Sequence, residues 1–75
     1  MIIKFSRHAK RRAKLYNISE DIVINILENL ELNDGGHEII REVEGFKYPL
    51  KIIVTVESDI AKIVTNYPLK KGRSV

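Results

Sequence analysis

The side chains best suited to chemistry lie near the start of the chain, where His8 and Arg12 are four residues apart. On a helix, residues at this spacing lie one turn apart on the same side. An imidazole can accept or donate a proton near neutral pH, and a guanidinium can hold an anionic group with two hydrogen bonds. The pair therefore indicates proton transfer on an anionic substrate. The structural alternative is that His8 binds a backbone carbonyl at a helix start while Arg12 stays in solvent.

Tyr67 is the third candidate, at the end of the last predicted strand and close in sequence to Lys70 and Arg73. A phenol in this position could stack on a base or assist a proton transfer. The alternative is that Tyr67 closes the edge of the core opposite Leu50.

Three weaker candidates lie on the predicted strands. His37, which follows Gly35-Gly36, would complete a two-histidine set for paired acid–base catalysis. Thr65 and Lys51 are less specific, because a threonine is common in strands and a lysine is ordinary on a solvent-facing side.

Charge is strongly segregated along the chain, although its net value is only +3. Residues 1–18 contain six basic side chains and no acidic one, and residues 19–46 contain eight acidic side chains and one basic one. On a helical wheel, four of the early basic side chains point away from the apolar stripe: Arg7, Lys10, Arg11 and Lys14. Such a strip is typical of surfaces that bind phosphates without sequence preference. The alternative is that a basic helix and an acidic helix pack side by side and partly neutralise each other.

Hydrophobic periodicity predicts one small domain with the element order β-α-α-β-β-β. The first helix would begin after Ser6 and the second after Ser19, with a connection short enough for an antiparallel hairpin. The predicted strands cover residues 1–5, 37–43, 50–57 and 60–67, and the predicted helices cover residues 7–16 and 20–30. This order predicts an α+β two-layer domain over residues 1–68, in which the helix hairpin lies on one face of a mainly antiparallel sheet. Residues 69–75 are expected to form a basic C-terminal tail.

The last two strands are joined by Ser58-Asp59, a tight connection that sets which residues face each other. With a two-residue loop and regular alternation, the predicted inner pairs are Val54–Ile63, Ile52–Thr65 and Leu50–Tyr67. The predicted outer pairs are Thr55–Lys62, Ile53–Val64 and Lys51–Asn66. Tyr67 would then lie at the edge of the core.

Composition and spacing exclude several classes of site. The 75 residues include no cysteine, which rules out disulfides and thiolate metal sites and fits a cytoplasmic location. His8 and His37 lack the spacing of a zinc site, and Gly35-Gly36 lacks the Lys-Ser or Lys-Thr of a phosphate-binding loop. No apolar run approaches the ~18 residues of a membrane span. We therefore expect no cofactor, no metal ion and no membrane association.

Three segments resemble a bacterial family that is catalogued as a domain of unknown function. The segment Phe5-Ser6-Arg7-His8-Ala9 with Arg12 is similar to the family's S-x-H-A-x-x-R opening, and Lys62 to Tyr67 resembles its closing strand. The start of the second helix, Asn17 to Ile22, also resembles the family. That family and this element order are similar in turn to the RelE/ParE-like toxins of the barnase–EndoU–colicin–RelE group. The resemblance implies a RelE-like two-layer fold and an endoribonuclease or translation-targeting toxin that a neighbouring antitoxin holds inactive.

Residues and resemblance together predict a metal-independent endoribonuclease toxin. The catalytic residues would be His8, Arg12 and Tyr67. The RNA-binding residues would be Arg7, Lys10, Arg11, Lys14, Lys51, Lys70 and Arg73. The expected partners are RNA, free or ribosome-bound, and a cognate antitoxin that could cover the same basic surface with an acidic segment.

Two departures from the resembling toxins keep other functions open. The chain is shorter than most RelE-like toxins, and it lacks the dense arginine and lysine set of their later strands. ParE-like relatives act on gyrase without cleaving RNA. The alternatives are therefore a non-catalytic nucleic-acid- or protein-binding module that uses the basic first helix, and a ParE-like gyrase-directed toxin.

Overall fold

In the computed structural model, which describes residues 1–69, two helices cover one face of a four-stranded mixed sheet. The elements follow one another as β1 (Ile2–Phe5), α1 (Arg7–Leu15), α2 (Glu20–Glu28), β2 (Gly35–Arg41), β3 (Leu50–Glu57) and β4 (Ile60–Pro68). The predicted element order and the predicted α+β two-layer class are confirmed. Lys70, Arg73 and the rest of the predicted tail from residue 70 onward lie outside the described residues.

Helix α1 begins and ends at residues that suit those positions. The Ser6 hydroxyl accepts a hydrogen bond from the amide of Ala9 at 3.0 Å, so Ser6 is the N-cap. The helix ends where Asn17 adopts a left-handed conformation with a φ of 57°, which asparagine tolerates better than most residues. The amide of Ile18 then bonds back to the carbonyl of Ala13 at 2.8 Å, as in a Schellman C-cap.

The buried side of α1 consists of small residues. Ala9 and Ala13 are at most 3% exposed, so the helix backbone lies close to the sheet. Tyr16, three residues after Ala13, is 38% exposed and does not continue this buried side. The reason is that α1 ends at Leu15, and Tyr16 is its C-cap residue.

Helix α2 has the sequence features of a stable amphipathic helix. The Ser19 hydroxyl accepts a hydrogen bond from the amide of Asp21 at 3.1 Å. Glu20 and Asp21 lie in the first turn, where the helix dipole favours carboxylates. Val23 and Leu27, four residues apart on one side of the helix, are fully buried.

The strand order in the sheet is β1-β4-β3-β2. Strand β1 runs parallel to β4, and the other neighbouring strands are antiparallel. Strand β2 starts at Gly35 rather than at the predicted His37, because Gly35 and Gly36 pair with Val56 and Thr55. Gly35 has a φ of 120°, a conformation that only glycine adopts freely.

Strand β4 contains one extra residue, Val64, opposite the step between Val54 and Ile53 of β3. The pair Val54–Ile63 and the two-residue loop are as predicted, but beyond this bulge Ile53 pairs with Thr65. Since side chains alternate between the faces of a strand, one extra residue exchanges the faces of everything that follows it.

The bulge therefore corrects the predicted faces of the last residues of β4. Tyr67 pairs with Lys51 on the outer face, which is the face opposite the helices. Asn66 pairs with Ile52 and is fully buried on the inner face, which the helices cover. Four predicted pairs are wrong: Ile53–Val64, Ile52–Thr65, Lys51–Asn66 and Leu50–Tyr67.

The core lies between the helices and the inner face of the sheet. Its buried apolar residues are Ala9, Ala13, Ile18, Val23, Leu27, Ile39, Leu50, Ile52, Val54, Val56, Ala61 and Ile63. Within residues 1–69, neither helix has the length and apolar character needed to cross a membrane.

Candidate nucleic-acid interface

The four cations predicted to form a strip on α1 are all exposed: Arg7, Lys10, Arg11 and Lys14. Among residues 1–69, ion pairs of up to 4.0 Å involve only the N-terminal amine with Asp59 and Lys51 with Glu38. The cations of α1 therefore have no carboxylate partner in the described part of the chain. Within residues 1–69, the acidic segment therefore makes no close ion pair with this strip.

The first turn of α1 has no acidic residue, whereas the first turn of α2 has two, Glu20 and Asp21. Because the N-terminal end of a helix carries a partial positive charge, cations there are unfavourable. Helix α2 is thus arranged for stability at this end, and α1 is not. A phosphate group bound at the start of α1 would offset the repulsion between these cations and the positive end of the helix dipole.

His8 and Arg12 lie on α1 at the predicted spacing of one turn. His8 is exposed and Arg12 is half-buried. Among the described residues, the His8 imidazole makes no hydrogen bond, so the carbonyl-bound arrangement considered as an alternative is not observed. The imidazole is therefore accessible to a ligand.

Lys51, Glu38 and Tyr67 form a polar cluster across three strands of the outer face. The Lys51 ammonium lies 2.6 Å from a carboxylate oxygen of Glu38. The hydrogen bond to Glu38 raises the pKa of Lys51; partial burial opposes this, and the Tyr67 phenol adds to it. Lys51 therefore stays protonated, so it can hold an anion but cannot act as a general base.

Two further lysines lie side by side on the outer face. Lys4 of β1 is paired with Lys62 of β4, and Lys62 is paired with Thr55 of β3. Like charges directly opposite one another on neighbouring strands destabilise a sheet, so this pair also suits an anionic ligand. Sequence reasoning missed the pair because it depends on the parallel register of β1 and β4.

His37 has a structural partner. Its Nε2 atom lies 2.6 Å from the carbonyl oxygen of Asn33, to which it donates a hydrogen bond. This bond ties the start of β2 to the preceding loop, so the second histidine does not join His8. Within residues 1–69, no three His, Cys, Asp or Glu side chains are grouped closely enough to hold a metal ion.

The structure divides the predicted catalytic residues between two layers. His8 and Arg12 belong to α1, which covers the inner face, whereas Tyr67 lies on the outer face beside Lys51. The elements that carry the two groups meet at a junction of α1 with β4. There, the Ser6 amide donates to the carbonyl of Ile63 at 3.0 Å and the Ser6 hydroxyl donates to the carbonyl of Val64 at 2.9 Å.

Comparison with known proteins adds no relative. No protein-family model matches the chain, and no curated protein and no solved structure gives a significant match. The resemblance to RelE/ParE-like toxins therefore stays a prediction.

Proposed function

We propose that this protein is a RelE-like toxin that binds RNA in the cytoplasm and cleaves it in a metal-independent reaction, and that a cognate antitoxin holds it inactive. The observation that carries the RNA-binding part is the strip of exposed cations on α1, namely Arg7, Lys10, Arg11 and Lys14, which have no ion-pair partner within residues 1–69. Contacts of these groups with phosphates are independent of base sequence and sensitive to salt.

The cleavage part of the proposal rests on His8 and Arg12. Neutral His8 would accept the proton of a ribose 2′-hydroxyl, whose oxygen then attacks the neighbouring phosphorus atom. Arg12 would bind the non-bridging phosphate oxygens, where negative charge accumulates in the transition state. The bond from phosphorus to the 5′-oxygen breaks, and this oxygen takes a proton from water. The products are a 2′,3′-cyclic phosphate and a 5′-hydroxyl.

Tyr67 and Lys51 would act on a different part of the same RNA. A phenol beside a protonated amine can stack on a base while the amine binds the adjoining phosphate. Strand β1 pairs with β4 only as far as Ile63. An RNA strand could therefore pass from the start of α1 to the outer face beside the part of β4 that β1 does not pair with.

The division of the site between two layers favours a second function, a non-catalytic RNA-binding module. His8 and Arg12 would then contact phosphates without reacting. The reason is that, of the residues predicted to be catalytic, His8 alone could transfer a proton on the side of the helices. The two functions use the same surface and differ in whether the RNA chain is cut.

Cleavage of end-labelled RNA by the purified full chain, with and without a chelator, tests the proposal. We expect cleavage that survives the chelator, yields cyclic phosphate ends, and is lost in His8→Ala but not in His37→Gln, a matched histidine control. Salt-sensitive RNA binding without cleavage would contradict the nuclease and support the non-catalytic RNA-binding module. If RNA is neither bound nor cut while DNA supercoiling by gyrase is inhibited, the RNA proposal is wrong.

A further inference from the structure

The hydroxyl of Ser6 connects two elements through two hydrogen bonds. It accepts from the amide of Ala9 at 3.0 Å, which caps α1, and it donates to the carbonyl of Val64 at 2.9 Å. Capping needs only the acceptor. The donated bond, which spans 58 positions of the chain, has no role in the cap.

The carbonyl that receives this bond belongs to the bulge residue of β4. With Val64 in the bulge, Asn66 lies on the inner face and Tyr67 on the outer face beside Lys51. In a regular ladder without the bulge, Tyr67 would instead face Leu50 on the inner side. The bulge therefore decides on which face the Tyr67 ring lies.

Among the described residues, the observed register leaves two buried polar atoms without hydrogen-bond partners, so it requires an interaction that holds it. Asn66 is fully buried, its amide nitrogen donates to the carbonyl of Ala9 at 3.3 Å, and its Oδ1 atom has no hydrogen-bond partner within residues 1–69. The hydroxyl of Thr65 is likewise buried without a partner in that part of the chain. The regular register would move Asn66 to the outer face, where solvent could satisfy its amide.

We propose that Ser6 is a positioning residue whose hydrogen bond to the Val64 carbonyl keeps Tyr67 on the outer face beside Lys51. The consequence for RNA rests on the proposed function, whereas the placement of Tyr67 does not. In this arrangement one side chain sets both the start of the helix that carries His8 and the face of the strand that carries Tyr67.

Four Ser6 variants separate the donated bond from the cap. Ser6→Thr keeps both, Ser6→Ala removes both, and Ser6→Asp keeps the cap acceptor but has no proton to donate. The fourth combines Ser6→Ala with deletion of Val64, which lets Tyr67 reach the outer face in a regular ladder. Ser19→Ala is the matched control, because the Ser19 hydroxyl caps α2 by accepting from Asp21.

The primary readout is the set of NMR nuclear Overhauser contacts between the Tyr67 ring and its neighbours, measured without RNA. We expect contacts to Lys51 in the original chain, Ser6→Thr and Ser19→Ala, and their loss or replacement by contacts to Leu50 in Ser6→Ala and Ser6→Asp. Deletion of Val64 should restore the Lys51 contacts to Ser6→Ala. If Ser6→Asp keeps the Lys51 contacts, or if the deletion fails to restore them in a folded chain, Ser6 is only a cap and the proposal is wrong.

RNA affinity is the second readout. Stacking of one base on an aromatic ring predicts that Tyr67→Ala weakens binding roughly 10-fold. This readout uses Ser6→Ala, because the carboxylate of Ser6→Asp would repel RNA at the start of α1 whatever the position of Tyr67. Ser6→Ala should weaken binding to a similar degree as Tyr67→Ala, and the two changes together should weaken it no further. Displacement of Tyr67 in Ser6→Ala with unchanged RNA affinity would support the positioning role and contradict the RNA-binding role of Tyr67.

Discussion

The ammonium group of Lys51 lies 2.6 Å from a carboxylate oxygen of Glu38, across the antiparallel strands β3 and β2. Tyr67 adjoins Lys51 from the other neighbouring strand, β4. The outer face thus combines a cation with an aromatic ring, while a carboxylate partly neutralises the cation. An incoming phosphate has to compete with Glu38 for Lys51.

We therefore predict that Glu38→Gln strengthens RNA binding. Removal of one negative charge at a distance of several ångströms from a phosphate changes the interaction energy in a solvated site by about 1 kcal/mol, which corresponds to about fivefold in affinity. Fluorescence anisotropy with labelled single-stranded RNA measures this gain. Glu31→Gln, at an exposed position in the loop after α2, is the control. Equal affinities of Glu38→Gln and the original chain would mean that Lys51 does not contact RNA.

The same ion pair predicts how stability depends on pH. Because the folded chain raises the pKa of Lys51 above its ordinary value of 10.5, its contribution to stability is complete below pH 10.5 and is lost as the pH rises through the folded value. The difference in free energy of unfolding between the original chain and Lys51→Met should therefore shrink only at alkaline pH. Urea unfolding from neutral to strongly alkaline pH tests this. A difference that disappears already near neutral pH would contradict the assigned pairing.

The salt dependence of RNA affinity measures how many phosphate contacts the α1 cations make. Each phosphate contact with single-stranded nucleic acid contributes about −0.7 to the slope of log affinity against log salt concentration. Lys10→Gln combined with Lys14→Gln should therefore reduce the slope by about 1.4. Arg41→Gln combined with Lys47→Gln changes the net charge equally at exposed positions away from α1. If both double variants reduce the slope alike, only the overall charge matters and the strip is not the contact surface.

Burial predicts a large difference between two leucine substitutions. Leu27 of α2 is fully buried, whereas Leu15 at the end of α1 is 65% exposed. Leu27→Ala should lower the free energy of unfolding by about 3 kcal/mol, since it removes buried methyl groups and leaves a cavity. Leu15→Ala should change it by less than about 0.5 kcal/mol. Urea denaturation with an unchanged m-value measures both free energies of unfolding. If Leu27→Ala lowers stability as little as Leu15→Ala does, α2 does not belong to the core.

Because Asn66 is buried, we predict that a carboxyl group at this position lowers the free energy of unfolding in a pH-dependent way. Asn66→Asp puts a carboxyl group at a fully buried position, where the charged form is strongly disfavoured, so the variant should lose about 2 kcal/mol or more at neutral pH. Burial raises the pKa of such a carboxyl, so the loss should diminish as the pH falls and the group becomes protonated. Asn25→Asp, at an exposed position of α2, is the control. Equal stability of the two variants at neutral pH would show that position 66 faces solvent.

Local features of the chain predicted the secondary structure well. Ser6 and Ser19 mark both helix starts, because capping is a property of a few adjacent residues. The alternation from Leu50 to Glu57 likewise predicts a strand with one buried face, and β3 has these bounds. These signals lie within a few residues, so no tertiary information is needed to interpret them.

The register at the end of β4 could not be predicted in the same way. Both faces of the segment Ile60–Tyr67 carry apolar residues, so alternation alone does not say which face is inside. The carbonyl of the bulge residue Val64 accepts a hydrogen bond from Ser6, which is distant in the chain, so no local signal announces the bulge. This explains why the candidate residues on α1 were assigned to an exposed strip as observed, whereas Tyr67 was assigned to the wrong face.

The position of β4 between β1 and β3 has a consequence for folding during synthesis. Strand β1 is made first but bonds only to β4, which is made last among the described strands. Until β4 has been made, β1 has no neighbour in the sheet and α1 lacks the strand against which it packs. Because these contacts are so distant in the chain, the domain has no smaller folded unit that retains both α1 and the outer face. A nascent or truncated chain that lacks β4 should therefore have neither the RNA surface nor the toxicity proposed for the whole domain.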